Sequence, residues 1–181
     1  MRHLLVTGFG PFLDVRENPS GILALAVHGT VLECRLGPVQ LCGKVLPVQY
    51  DTAAAETLLA ARQVDAIGIL GIGVARGALA PRVERTGRSR CDGVTPDAAG
   101  QVRSRLGDIP ELQSAHSEAL SLALGVALSD DAGPYVCNAW LYGVLAGATI
   151  PAAFLHITSG GMEGAVLKAG LVGWIDGFWT E

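Results

Sequence analysis

The sequence has few charged residues and no long hydrophobic run. Charged side chains make up 17% of its 181 residues and the net charge is −4, which excludes a disordered, highly charged chain. No basic stripe with interleaved aromatics is present, so we expect no nucleic-acid partner. The longest apolar runs, at 66–70 and 152–157, are too short to span a bilayer, and no membrane association is expected. No signal-peptide pattern follows Arg2 and His3, so we expect a cytoplasmic protein.

The cysteines and histidines show none of the spacings typical of metal sites. The four cysteines stand at positions 34, 42, 91 and 137 without a CxxC pair, and the four histidines at positions 3, 28, 116 and 156 without an HxxxH pair. A zinc site is therefore not expected. Because thiols stay reduced in the cytoplasm, we expect free cysteines.

The apolar half of the chain is sufficient for one hydrophobic core. Predicted strands cover residues 3–7, 30–36, 40–48, 65–73 and 152–157. One predicted helix follows an N-cap at Asn18, with Pro19 at its first position. Three others cover 53–63, 116–128 and 161–175, and a fifth begins within 134–138. Alternating strands and helices predict an α/β fold, in which residues 1–181 form a single-domain three-layer sandwich. Its twisted, mostly parallel (mixed) sheet is flanked by helices. In such sheets the functional residues lie at the carboxyl ends of the strands.

Residues 73–112 show no regular pattern, and a loop of this length in a compact domain is typically functional. Two glycine-rich turns, at 8–11 and 71–77, imitate nucleotide-binding loops. In the second the third glycine comes one residue late, and in the first Pro11 lacks the backbone donor that a phosphate would need. We interpret both as tight turns after strands, and no nucleotide cofactor is expected.

Two cysteines are candidate nucleophiles on local chemistry alone. Cys137, in "PYVCN", either packs as a small hydrophobic residue or carries a thiolate favoured by a helix N-terminus. His156, at the end of "AAFLH", would be its base, although a lone histidine on an apolar strand is more often a core residue. Cys91 competes, because Arg88 and Arg90 stand beside it and nearby cations favour a thiolate. The local pattern does not choose between the two thiols.

Four motifs lie in order along the chain. Residues 6–20 read "VTGFGPFLDVRENPS" and residues 129–145 read "SDDAGPYVCNAWLYGVL". A Glu-Arg pair at 84–85 is followed by "PDAAG" at 96–100, and "AAFLHI" stands at 152–157. Together they resemble the N-terminal signature, the nucleophile segment, the glutamate motif and the histidine strand of the pyroglutamyl peptidase I (pyrrolidone-carboxylate peptidase) family. Members of this family are cysteine peptidases that remove N-terminal pyroglutamate from peptides.

The resemblance implies a catalytic triad. In it Cys137 is the nucleophile, His156 is the base, and Glu84 is the carboxylate that orients the imidazole. Such a triad forms a thioester acyl-enzyme and needs neither a metal nor an organic cofactor. The implied partners are peptides with an N-terminal pyroglutamate.

The resemblance also implies a substrate pocket for the neutral lactam. Phe9 and Phe12 match family positions on the two sides of the ring, and Asn18 matches a polar residue that holds the site near the nucleophile. Tyr135 and Val136, just before the nucleophile, are weaker candidates for lining the same pocket. Without the resemblance, core packing is an equally good interpretation of the two phenylalanines.

The chain departs from the family pattern near the glutamate. After Glu-Arg it reads "TGRS" where the family usually reads Val-Ala-Ile-Asn. Val94 stands where many bacterial members have an arginine that assists near the oxyanion, and Val74 stands where some have a pocket glutamine. Arg88 and Arg90 are the candidates to replace the missing arginine.

Assembly and two other functions complete the expectations. Family members are often homotetramers, so the resemblance implies a homo-oligomer, with the C-terminal stretch at 170–181 as a candidate interface or an ordinary packed helix. The residues alone leave open another thiol amidase or esterase on the same scaffold. They also leave open a non-catalytic binding protein in which Cys137 is merely buried.

Overall fold

The computed structural model describes residues 1–12, 15–35 and 37–179, the last without its side chain. Leu13 and Asp14 of the N-terminal motif therefore lie outside the described residues. So do Leu36, which ends a predicted strand, and the last two residues of the C-terminal stretch.

The described chain contains nine strands. In chain order they are β1 (Arg2–Phe9), β2 (Val31–Cys34), β3 (Gly37–Leu46), β4 (Ala66–Val74), β5 (Arg82–Glu84), β6 (Thr86–Arg88), β7 (Glu111–Gln113), β8 (Ala127–Ser129) and β9 (Ala152–Ile157). Among them, seven form one sheet in the order β2-β3-β1-β4-β9-β5-β8, and β6 pairs with β7 in a separate ribbon. Parallel pairs join β1 to β3 and β4, β4 to β9, and β5 to β8. The pairs β2–β3 and β5–β9 are antiparallel, which confirms the predicted mixed sheet.

Helices cover both faces of this sheet. They are α1 (Pro19–Ala26), α2 (Thr52–Gln63), α3 (Ser117–Leu124), α4 (Val136–Gly147) and α5 (Gly164–Asp176), followed by a 3₁₀ turn at Gly177–Trp179. Side chains of α1, α3 and α5 share one buried core with Leu4 and Val6 of β1. Side chains of α2 and α4 share a second core with Leu5. Alternate residues of a strand point to opposite faces, and the three layers of the predicted α/β sandwich are confirmed.

The local signals in the sequence explain several helix boundaries. Asn18 caps α1 by accepting a hydrogen bond from the Ser20 N–H at 3.1 Å, and Pro19 occupies the first turn. The helix predicted over 116–128 is wrong at its end, because Gly125 adopts a left-handed conformation with φ of 65° and terminates α3. Leu128 therefore lies in β8 rather than on the apolar face of the helix.

The segment predicted to be irregular, 73–112, contains two strands of three residues each and most of a third, β7. Strands this short show no alternation long enough to be recognised in a sequence. One of them, β5, lies inside the main sheet between β9 and β8. The candidate carboxylate Glu84 is thus on a sheet strand rather than in a loop.

The C-terminal helix α5 packs on its own chain through Leu171 and Trp174, which are both fully buried. This arrangement is that of an ordinary last helix. Among the described residues, no helix combines the length and the apolar character that crossing a membrane requires.

Candidate active site

Cys137 lies in the first turn of α4, at the carboxyl-end edge of the parallel strands. Its Sγ stands directly over the backbone of Gly73 in β4, where a Cβ would come within 2.9 Å of Sγ and 2.7 Å of Phe154 Cζ. Gly73 is in turn paired with His156 across β4 and β9. A glycine at this position therefore lets the thiol approach the sheet beside the histidine. The first-turn N–H groups of α4 have no partners within the helix and face the same edge.

His156 and Glu84 form a buried pair on neighbouring strands. The His156 Nδ1 lies 2.7 Å from Glu84 Oε1, and the side chains are 4% and 0% exposed. Phe154 packs in the core on the α4 side of the sheet. His156 lies two residues after it and Glu84 lies opposite it in the antiparallel pair, so both side chains lie on the same face. A carboxylate at Nδ1 selects the tautomer whose Nε2 is free to act on a second group.

The surroundings of His156 favour the imidazolium. Burial disfavours it, but hydrogen bonding and charge at Cys137, followed by those at Glu84, outweigh burial and raise the pKa of His156 to about 9. Burial likewise disfavours the ionised carboxylate of Glu84. Hydrogen bonds from His156, Ser129 and Arg82, together with the charge on His156, still lower the pKa of Glu84.

Arg82 is a further partner of the buried pair, and the sequence did not single it out. Its Nε donates a hydrogen bond to Glu84 Oε1 at 2.6 Å, so this one oxygen serves both the arginine and the histidine. Glu84 Oε2 is buried and accepts no hydrogen bond of good geometry from the described residues. The hydroxyl of Ser129, the β8 residue paired with Glu84, nevertheless lies near enough to stabilise its charge.

A cavity of about 820 Å³ opens next to Cys137 and His156. Four of the five residues predicted to bind substrate line it: Phe9, Phe12, Asn18 and Tyr135. The fifth, Val136, does not line the cavity, because the first turn of α4 directs its side chain into the core, where it is 1% exposed. The cavity thus joins a turn after β1 to the start of α4.

The aromatic wall of this cavity has defined contacts. The rings of Phe12 and Tyr135 lie 5.5 Å apart between centroids, and the Tyr135 hydroxyl donates to the Pro96 carbonyl at 3.0 Å. Asn18 uses its side-chain amide to donate to the Gly10 carbonyl at 3.0 Å. It therefore fixes the turn that carries both phenylalanines while it caps α1.

Cys91 has a poorer environment for a nucleophile. Burial, opposed by a hydrogen bond from Asn138 and reinforced by the charge of Asp92, raises the pKa of the Cys91 thiol. The Arg88 guanidinium pairs with Glu111 and Asp131 at the surface. Neither Cys91, Arg88 nor Arg90 is among the residues that line the cavity.

Asn138, directly after Cys137, anchors the divergent segment that follows Glu84. It is 2% exposed and accepts from the Arg88 N–H at 2.8 Å. Its amide donates to the carbonyls of Arg88 and Arg90 at 2.9 and 3.1 Å. The available sequence signal for this anchor was an asparagine directly after the candidate nucleophile.

The valines at the two divergent family positions have different surroundings. Val74, at the end of β4, lines the cavity, whereas Val94 is 74% exposed and does not. Charged residues that line the cavity and that the sequence did not single out are Glu17, Arg76, Arg82 and Asp131. Within the described residues, no group of three or more His, Cys, Asp or Glu side chains is placed to hold a metal ion.

Comparisons with known proteins point to one family. The family model described as pyroglutamyl peptidase matches residues 2–162. The pyrrolidone-carboxylate peptidase of Deinococcus radiodurans is 31% identical over 173 residues, which cover 87% of this chain and 78% of the relative. That of Enterobacter sp. (strain 638) is 29% identical over 172 residues, with the same coverage of each chain.

Solved structures show the same fold. The pyrrolidone carboxyl peptidase from Thermococcus litoralis superimposes with a TM-score of 0.82 at 20% identity, covering 98% of this chain and 93% of that one. The corresponding protein from Pyrococcus furiosus gives a TM-score of 0.81 at 21% identity and covers 97% of each chain. At these identities the likeness establishes the α/β architecture.

Proposed function

Because this chain belongs to the pyroglutamyl peptidase family, we propose that it hydrolyses the bond after an N-terminal pyroglutamate, with Cys137, His156 and Glu84 as its catalytic residues. The observation that carries the proposal is the 2.7 Å contact between His156 Nδ1 and Glu84 Oε1. This contact lies at the edge of a cavity that also contains Cys137. Curated relatives named pyrrolidone-carboxylate peptidase support the same activity.

The reaction begins with the proton on His156. A pKa of about 9 keeps the imidazole protonated at neutral pH once it has taken the thiol proton of Cys137. Its sulfur attacks the carbonyl carbon that joins pyroglutamate to the next residue. The carbonyl oxygen becomes an oxyanion and is stabilised by the first-turn N–H groups of α4, as in other acyl-transfer enzymes.

His156 then gives its proton to the leaving nitrogen, the C–N bond breaks, and a thioester joins pyroglutamate to Cys137. The neutral imidazole next accepts a proton from a water molecule, which attacks the thioester carbonyl. Pyroglutamate leaves, and the imidazolium–thiolate pair is restored. Glu84 holds Nδ1 throughout and stabilises the imidazolium in both steps.

The cavity suits a small neutral ring. Pyroglutamate has no α-ammonium group, so its pocket requires apolar walls with a few hydrogen-bonding groups. Phe9, Phe12 and Tyr135 supply aromatic surface beside Cys137. The contact of Phe12 with Tyr135 links the wall after β1 to the start of α4.

A substrate panel tests the activity. Three naphthylamides that carry pyroglutamyl, prolyl and free glutamyl groups differ only in the acyl residue. We expect cleavage of the pyroglutamyl compound at a kcat/KM at least about 100-fold above the others, because the free amines must bury a charge in an apolar pocket. Equal cleavage of all three, or faster cleavage of a free-amino compound, would support a different thiol hydrolase.

We also propose that the enzyme works as a cytoplasmic homotetramer. The family resemblance supports the assembly, and the free cysteines described at positions 34, 42, 91 and 137 fit a reducing compartment such as the cytoplasm. Light scattering coupled to size-exclusion chromatography tests the assembly, and a monomeric mass at working concentration would contradict it.

A further inference from the structure

We infer that Arg82 binds the carboxylate of the residue that follows pyroglutamate, so that pyroglutamyl dipeptides with a free C-terminus are preferred substrates. This inference rests on the proposed function and adds the class of leaving group. It assigns to Arg82 the role of a specificity-determining residue at the same site.

Arg82 lies next to the histidine that acts on the leaving group. It is the first residue of β5 and lies directly opposite His156 in the antiparallel pair with β9. Opposite residues of such a pair project from the same face, with Cβ atoms about 5 Å apart. Because His156 gives its proton to the leaving nitrogen, the residue carrying that nitrogen lies beside both side chains.

Two nitrogens of the Arg82 guanidinium have no acceptor among the described residues. Its Nε is occupied by Glu84 Oε1 at 2.6 Å, whereas no described residue accepts a hydrogen bond from Nη1 or Nη2. The Arg82 side chain is 32% exposed beside the fully buried Glu84, and Arg82 lines the cavity. Glu84 thus orients the guanidinium of Arg82 through Nε and leaves Nη1 and Nη2 available to a ligand.

The other charged groups of the cavity lie farther into solvent. Glu17, Arg76 and Asp131 are exposed, and Asp131 pairs with Arg88 Nη1 at 3.4 Å. Solvent screens charges at such positions. Arg82 is half-buried next to the reacting groups, where a charge acts more strongly.

The carboxylate of a dipeptide suits this donor pair in its chemistry and in its short separation from the scissile nitrogen. In the leaving residue only the N–Cα and Cα–C bonds, about 1.5 Å each, separate the scissile nitrogen from the carboxylate carbon. A guanidinium presents parallel N–H groups that match the two carboxylate oxygens and stays charged at every working pH. A peptide that continues past this residue has a neutral amide there and loses the ionic contact.

Pyroglutamyl-alanine and pyroglutamyl-alanine amide test the inference, because they differ only at the C-terminal group. The readout is the ratio of their kcat/KM values, from which any effect of a variant on the shared chemistry cancels. We expect Arg82→Gln to lower the acid-to-amide ratio at least about tenfold relative to the wild type, as expected for a charge-assisted hydrogen bond. Arg82→Lys keeps a cation without the fork and should give an intermediate ratio.

Arg62→Gln, at the exposed end of α2, is the matched control and should leave the ratio unchanged. An unchanged ratio in Arg82→Gln would overturn the inference, as would a ratio that collapses in Arg76→Gln instead. The wild type supplies a test without any variant, because added salt must lower the ratio if the contact is ionic. A ratio independent of salt contradicts the inference, whereas a wild type that releases pyroglutamate from no compound defeats the proposed function itself.

Discussion

Glu84 Oε1 and His156 Nδ1 meet at 2.7 Å although 72 positions separate the two residues in the chain. The contact exists because β5 runs antiparallel to β9 inside an otherwise mostly parallel sheet. Because β5 runs in the opposite direction, it places the Glu84 carboxylate at Nδ1 of His156. Helix α4 brings the Cys137 thiol to the other side of the imidazole. The resulting line of groups raises the pKa of His156 to about 9.

Replacing Glu84 by Gln removes the negative charge that helps to raise the pKa of His156 to about 9. The pKa of the histidine then falls, so the imidazolium needed by the leaving group is lost at lower pH. We expect the alkaline limb of the kcat/KM profile for a pyroglutamyl substrate to move from near 9 to lower pH. The maximum rate should drop by roughly 100-fold or more.

Glu56→Gln is the control for this measurement, because Glu56 belongs to an exposed ion pair with Lys44 at 3.2 Å. It should leave both the rate and the pH profile unchanged. An alkaline limb that stays in place in Glu84→Gln, or moves upward, would contradict the assigned role of the carboxylate.

Gly73→Ala tests whether the position of the Cys137 thiol depends on the absence of a side chain at residue 73. The added Cβ would lie 2.9 Å from Cys137 Sγ and 2.7 Å from Phe154 Cζ, and the fully buried Phe154 ring has little room to move. We expect the sulfur to be displaced from His156 and kcat/KM to fall by about 100-fold, since small misplacements at reacting atoms are costly. Gly164→Ala, where the nearest atom is 3.7 Å away, should retain full activity.

Asn138→Ala tests the anchor of the divergent segment. Its side chain makes hydrogen bonds to the N–H and carbonyl of Arg88 and to the carbonyl of Arg90. Truncation leaves buried backbone groups without partners, so urea unfolding should show a loss of about 1–3 kcal/mol in the free energy of unfolding. A loss below about 0.5 kcal/mol, the range of ordinary surface substitutions, would show that the segment does not depend on Asn138.

The rate of alkylation at neutral pH separates an active thiol from a buried one. Burial raises the pKa values of Cys34, Cys42 and Cys91, so these thiols should react slowly with iodoacetamide at neutral pH. Cys137, the proposed nucleophile beside His156, should be labelled much faster, as measured by mass spectrometry of its peptide. Labelling of Cys137 no faster than Cys91 would favour the binding-protein alternative.

Much of this architecture is predictable from the sequence because several boundaries carry local signals. Asn18 and Pro19 mark the start of α1, and the six-residue apolar run around Phe154 becomes β9. The proposed catalytic positions, Cys137, His156 and Glu84, came from family motifs rather than from periodicity.

Other features depend on contacts between distant segments and leave no local pattern. The three residues of β5 gain their place from pairing with β8 and β9, so neither the strand nor Arg82 was recognised. Leu128 continued an apolar helical spacing, but Gly125 had already ended the helix. Val136 is next to the proposed nucleophile in sequence, but one helical step directs its side chain into the core.

The identity of the nucleophile is tested most directly by comparing Cys137→Ser with Cys91→Ser on a pyroglutamyl-naphthylamide, with thermal unfolding to verify that both variants fold. We predict that Cys137→Ser loses activity by at least about 1,000-fold, whereas Cys91→Ser keeps a rate close to that of the wild type. A folded Cys137→Ser variant that still cleaves the substrate, together with an inactive Cys91→Ser, would contradict the account.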